Sequence, residues 1–129
     1  MRTRVLSTLA AVGILLGACS LIGTSNQLQV TNATDDFQFQ VTNLSNVQQT
    51  LRYTWTITGD SASVNQASAI TGGTATLTVR DQAGAVVYQA SLTSNGTFHT
   101  SKSTPGAWQI EVKLTNADGT VNFRVQKAP

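Results

Sequence analysis

One cysteine, one histidine and two prolines are found in the 129 residues of this chain, and only 11% of them are charged. Each scarcity removes a class of explanation. A single cysteine, Cys19, excludes a disulfide framework within the chain. Zinc centres draw on several Cys and His ligands, and the single imidazole here is His99. Nucleophilic catalysis needs a base beside its nucleophile, most often histidine. His99 stands between Phe98 and Thr100, reads as a surface or edge residue, and has no Gly-x-Ser-x-Gly elbow to serve. Phosphate-cradling loops are missing too, since Gly72-Gly73 runs into Thr-Ala-Thr without a lysine. The six acidic residues are Asp35, Asp36, Asp60, Asp81, Glu111 and Asp118. They contain one adjacent pair and no EF-hand spacing. Turn formation explains Asp60, Asp81 and Asp118, each beside a glycine or in a loop. A loop calcium site is the lesser alternative. The expectation is a non-enzymatic chain with no metal site.

Long hydrophobic runs are also lacking. The apolar stretch from Val5 to Leu16 covers about 12 residues, whereas a helix crossing a bilayer needs roughly 20. Arg2 and Arg4 precede it, and the small residues Gly17 and Ala18 follow. A basic head, a short apolar core and a small-residue end are the parts of an export signal. The tetrad Leu16-Gly17-Ala18-Cys19 resembles the lipobox of bacterial lipoproteins. That resemblance implies a signal peptide over residues 1–18, cleavage between Ala18 and Cys19, and diacylglycerol on the Cys19 thiol. An N-acyl chain on the new amino terminus usually follows, and no other cofactor is implied. Several acyl chains exceed the single-chain limit at which membrane binding is marginal and reversible. In such lipoproteins aspartate after the cysteine commonly means inner-membrane retention. Ser20 resembles the outer-membrane default of bacteria with two membranes.

Processing changes the charge balance. The precursor carries +2, but Arg2 and Arg4 leave with the signal, so six basic residues face six acidic ones. The remaining Arg52, Arg80, Lys102, Lys113, Arg124 and Lys127 are scattered singly. Nucleic-acid binders concentrate such residues on one face, so nucleic acid is excluded as a partner. Thr, Ser, Asn and Gln supply the polar surface instead.

Residues 19–27 form the lipidated cysteine and a short tether of Ser, Gly, Thr and Asn, and residues 28–127 form one domain. From Leu28 onward apolar residues recur with a period of two. Leu28 and Val30 begin the pattern, then Phe37, Phe39 and Val41, then Leu51, Tyr53, Trp55 and Ile57. Ala75, Leu77 and Val79 continue it, Asp81-Gln82-Ala83-Gly84 turns into residues 85–92, and Asn95-Gly96 marks a further turn. Trp108, Ile110, Val112 and Leu114 form the next strand. Asn116-Ala117-Asp118-Gly119 predicts a hairpin back into Val121, Phe123 and Val125. Residues 61–70 predict a short edge strand or a loop. The fold class is all-β: a single antiparallel two-sheet β-sandwich of about seven to eight strands after a helical signal peptide, with Trp55 and Trp108 at its centre. The stretch from Thr74 to Lys127, with Asp-x-x-Gly and Gly-x-Trp-x-Ile-x-Val, resembles immunoglobulin-like and pre-peptidase-C-like sandwiches of bacterial envelope proteins. Fold likeness of this kind carries little about function.

Two features stand out as surface candidates. Thr54, Thr56 and Thr58 form one outward row and Thr74, Thr76 and Thr78 another; on neighbouring strands they would make a flat hydroxyl-methyl face. Tyr88 and Phe98 are the aromatics least committed to a core face, and so the candidate ligand-binding residues. The leading expectation is a lipid-anchored, non-catalytic envelope domain. It would be held to the membrane through Cys19 and act as an accessory or interaction domain for a protein partner. The alternative is glycan or small-ligand binding through exposed aromatics and Asn/Gln side chains.

Overall fold

The computed structural model describes residues 20–129, so the expected signal peptide, its expected cleavage site and Cys19 lie outside the described residues. The seven strands are β1 (Leu28–Ala33), β2 (Asp36–Ile57), β3 (Ala62–Gln66), β4 (Ala69–Arg80), β5 (Val86–Ser91), β6 (Gly96–His99) and β7 (Gly106–Lys127). No helix occurs among the described residues, and the all-β class is as expected. Hydrogen bonding joins all seven strands into one open antiparallel sheet, where the alternation pattern predicts two. Its path runs β1-β2-β7-β3-β6, and β4 adds to β7 and carries β5.

Two strands of 22 residues organise everything else. β2 and β7 pair antiparallel along their whole lengths, from Asp36 opposite Gln126 to Ile57 opposite Gly106. A straight strand of this length would reach roughly 70 Å, far beyond a domain of this size. The pair is bent instead. The Phe37 and Tyr53 rings of β2 would stand roughly 50 Å apart on a straight strand, yet their centroids are 5.3 Å apart. Phe39 also reaches Tyr53, so the two halves of β2 face each other across the core.

The bend is built from β-bulges. The register slips between Val41 and Leu44, between Leu44 and Val47, and between Val47 and Gln49. The first two slips place an extra residue on β2 and the third places one on β7. Each has its asparagine with positive φ: Asn43 (57°), Asn46 (51°) and Asn116 (48°). Bulges favour a left-handed residue, and asparagine tolerates that region better than other side chains. The odd number on β7 switches which face points inward, from Ile110, Val112 and Leu114 to Val121, Phe123 and Val125. Opposite this turn of the ribbon Gly73 of β4 has φ 67°, and a Cβ there would collide with the Asn116 carbonyl.

The hairpin predicted at residues 116–119 is therefore corrected: both flanking segments belong to β7 and pair with β2, not with each other. Asp118 joins rather than turns, accepting the Asn46 N–H at 2.7 Å. β3, expected as an edge strand or loop, lies inside the sheet between β7 and β6. Trp55 and Trp108 are register partners, fully buried and edge-to-face at 6.2 Å. Their indole N–H groups donate to the Ala33 and Thr104 carbonyls, both at 2.9 Å, so neither leaves a buried polar atom unsatisfied.

Candidate functional site

The ends of the folded ribbon meet at one pole, and Asp35 clasps them. Its backbone N–H donates to the Thr56 carbonyl and its own carbonyl accepts the Lys127 N–H, both at 3.0 Å. Its carboxylate accepts from the Thr58 N–H and hydroxyl, each at 2.6 Å, and Lys127 Nζ lies 3.6 Å away. The Thr58 hydrogen bonds hold this carboxyl below the ordinary carboxylate range. Asp36 turns elsewhere and takes the two-pronged guanidinium of Arg124 at 3.0 and 3.1 Å, which lowers its pKa as well. The adjacent pair is thus divided between two structural partners and does not converge. Asp81 caps its own turn through the Ala83 and Ala85 N–H groups and accepts the Ser103 hydroxyl at 2.6 Å, the main cause of its lowered pKa. Among the described residues no group of three or more His, Cys, Asp or Glu side chains gathers where a metal ion would sit. His99 is exposed on β6, opposite Ser63 of β3.

Tyr88 and Phe98 do come together, with ring centroids 6.3 Å apart, and both pack on the core. The Tyr88 hydroxyl donates to Oε1 of Gln66 at 2.6 Å, and burial raises its pKa. Gln66 is itself buried, and its amide nitrogen donates to the Ser91 and Ser94 carbonyls at 3.0 and 2.8 Å. The half-buried pair is therefore a packed corner that ties β3 to the β5–β6 connection. The threonine rows do not meet either. β2 and β4 lie on opposite sides of β7, so Glu111 separates Arg52 from Thr78, and Lys113 separates Thr50 from Thr76. Arg52 and Arg80 both reach Glu111, at 3.0 and 3.4 Å, and Thr78 is buried beneath Gln89.

Two surfaces emerge that the linear pattern does not reveal. The first is the outer face of β1, β2, β7, β3 and β6, a lattice of amides and hydroxyls. One row crosses all five strands as Thr31, Gln38, Arg124, Asn65 and Thr97. A second places Gln29, Gln40 and Asn122 side by side. Five strands span about 19 Å between the outer axes. Two shallow grooves, about 180 and 80 Å³, lie on this face and share Gln38 and Asn122. A third, of about 320 Å³, lies between Gln82, Ala83, Thr104 and Pro105 and has no titratable side chain in its lining.

The second surface is the outer edge of β2 beyond the bend. The Thr54 and Thr56 carbonyls accept bonds from Asn32 and Asp35, which lie away from β7. Backbone groups of one residue point to one side of an antiparallel strand and alternate along it. The N–H groups of Thr50, Arg52 and Thr54 therefore also face away from β7, and no strand lies beside them among the described residues. At the head of this edge Ser20 is bound in a parallel bridge to Val47. Its N–H donates to the Asn46 carbonyl at 2.8 Å, and its carbonyl accepts the Gln48 N–H at 2.9 Å. Alternation marks Gln38, Gln40, Asn122 and the rest as outward, but the pairing of strands distant in sequence is what makes them one face.

No protein-family model matches this chain, and no curated protein matches it.

Proposed function

We propose that this chain is a lipid-anchored, non-catalytic β domain of the bacterial cell envelope that acts by binding a protein partner. The lipobox supports the anchor through Cys19, and Ser20 supports the outer membrane where the host has two. The observation that carries the partner reading is the open edge of β2 over residues 50–54. An exposed edge is a template for strand addition, and edges that avoid it usually carry Lys, Pro or a covering segment. Arg52 does not block this one, because its guanidinium leans back over the sheet to Glu111 at 3.0 Å. The test uses a photo-crosslinking residue in place of Arg52 in the full-length chain, expressed in a bacterial host. The expected result is a covalent adduct of one defined mass, lost on Thr54→Pro with the melting temperature kept. Proline removes the Thr54 donor, and its ring is tolerated at an edge. Unchanged capture in the proline variant, or no adduct from this position, would refute edge pairing.

The amide lattice favours a second reading, a glycan ligand on the outer face. Sugar hydroxyls pair readily with side-chain amides, and Gln38 and Asn122 line both grooves while Gln40 lines the smaller one. Calorimetry with soluble peptidoglycan fragments would show heat that disappears in the Gln38→Ala, Asn122→Ala double variant. No heat with the unaltered protein would remove this reading.

A further inference from the structure

The beginning of the described chain is fastened to the bend. Six hydrogen bonds join residues 20–26 to residues 42–49: the two backbone bonds of Ser20, its hydroxyl to the Ser45 carbonyl, the Ile22 N–H to Gln49 Oε1, and the Asn26 amide to the Thr42 and Asn43 carbonyls. Ile22 also packs on the core. Cys19 precedes Ser20 directly in the sequence. A chain bound this closely does not act as a spacer.

The surroundings of this attachment are distinctive. Residues 20–26, 42–48, 69–73 and 115–119 contain a single charged side chain, Asp118, and that carboxylate accepts the Asn46 N–H. Asp35, Asp36, Asp60, Lys102, Arg124 and Lys127 all gather at the opposite pole, where the ends of β2 and β7 meet. Leu21, the most exposed large apolar side chain among the described residues at 68%, projects beside the attachment point.

We propose that the bend is the membrane-facing pole of the domain, seated on the phospholipid surface with Leu21 at the interface and the Asp35 pole directed outward. This rests on the lipid-anchor reading of Cys19. Residues 1–19 lie outside the described residues, and on the lipid-anchor reading the acylated Cys19 is the residue that directly precedes Ser20, which is fastened to this pole. A pole whose single carboxylate, Asp118, is already hydrogen-bonded to the Asn46 N–H can approach the headgroup region with little stripping of water from ions, and an exposed leucine gains from partial burial there. The half of β2 from residue 49 to residue 57 then rises away from the bilayer, its far end at Ile57 reaching roughly 26 Å from the bend.

Depth-dependent fluorescence quenching tests this orientation. Lipidation occupies the Cys19 thiol, so Thr71→Cys at the bend or Ala83→Cys near the opposite pole supplies one labelling site in the full lipidated chain. The labelled proteins are placed on phosphatidylethanolamine–phosphatidylglycerol vesicles with a nitroxide quencher in the headgroups. The expected result is loss of most fluorescence at position 71 and none at position 83. Asn26→Ala should weaken quenching at position 71 while the protein still floats with the vesicles. Equal quenching at both positions, or the reverse order, in protein that floats would overturn the orientation alone. Protein that fails to float would overturn the lipid anchor, and the orientation with it.

Discussion

Asn43, Asn46 and Asn116 carry the left-handed backbone that the bend requires, one for each register slip between β2 and β7. An L-residue with a larger constraint at Cβ loses about 1–2 kcal/mol there, and glycine loses none of it. Asn43→Ala should therefore lower unfolding stability by about 1 kcal/mol, while Asn43→Gly stays within about 0.5 kcal/mol of the unaltered protein. Urea denaturation followed by tryptophan fluorescence reads both. Asp35 gives a pH signature of its own. Its folded pKa lies below the unfolded value of about 4, so its stabilisation is complete above that pH and is lost as pH falls through the folded value. Asp35→Asn should melt below the unaltered protein at pH 7, and the two melting curves should converge towards pH 2. A constant gap across that range would contradict the Thr58 clasp.

The strands show what the alternation of side chains reveals and where it stops. Periods of two around Leu77, Trp55 and Trp108 locate the inward faces, because one side of each strand must be buried against the other half of the sheet. Asn116-Ala117-Asp118-Gly119 misleads for a physical reason. A bulge and a hairpin turn both want a left-handed asparagine and a glycine, and only the partner strand decides between them. Here β2 runs beside both halves of β7, so the chain kinks and continues. Gln66 was equally hidden. Its place in β3 is in phase with inward Ala62 and Val64, but its polar side chain disguises a core position: it is 2% exposed and joins three groups on the β5–β6 side. Gln66→Ala should cost about 2–4 kcal/mol, since it opens a cavity and strands the Tyr88 hydroxyl and two carbonyls. Thermal unfolding measures this, and Tyr88→Phe should cost less because the Gln66 amide keeps its two acceptors.

For the molecule as a whole, one ribbon folded on itself makes both the core and the polarity. Bending β2 and β7 brings Phe37 and Phe39 onto Tyr53 and gathers Asp35, Asp36, Arg124 and Lys127 at the pole away from the chain's attachment. The amide face and the open edge of β2 follow from the same pairing and are invisible before it is known. The proposed anchor rests on four consecutive residues, because export signals are read as linear chain, whereas a binding surface is assembled from strands far apart. The most direct test of the account is intact-mass and N-terminal peptide mass spectrometry of the protein purified from bacterial membranes. The account predicts a mature chain beginning at Cys19 with diacylglycerol on sulfur. Residues 1–18 still attached, or a free Cys19 thiol on membrane-recovered protein, would contradict it.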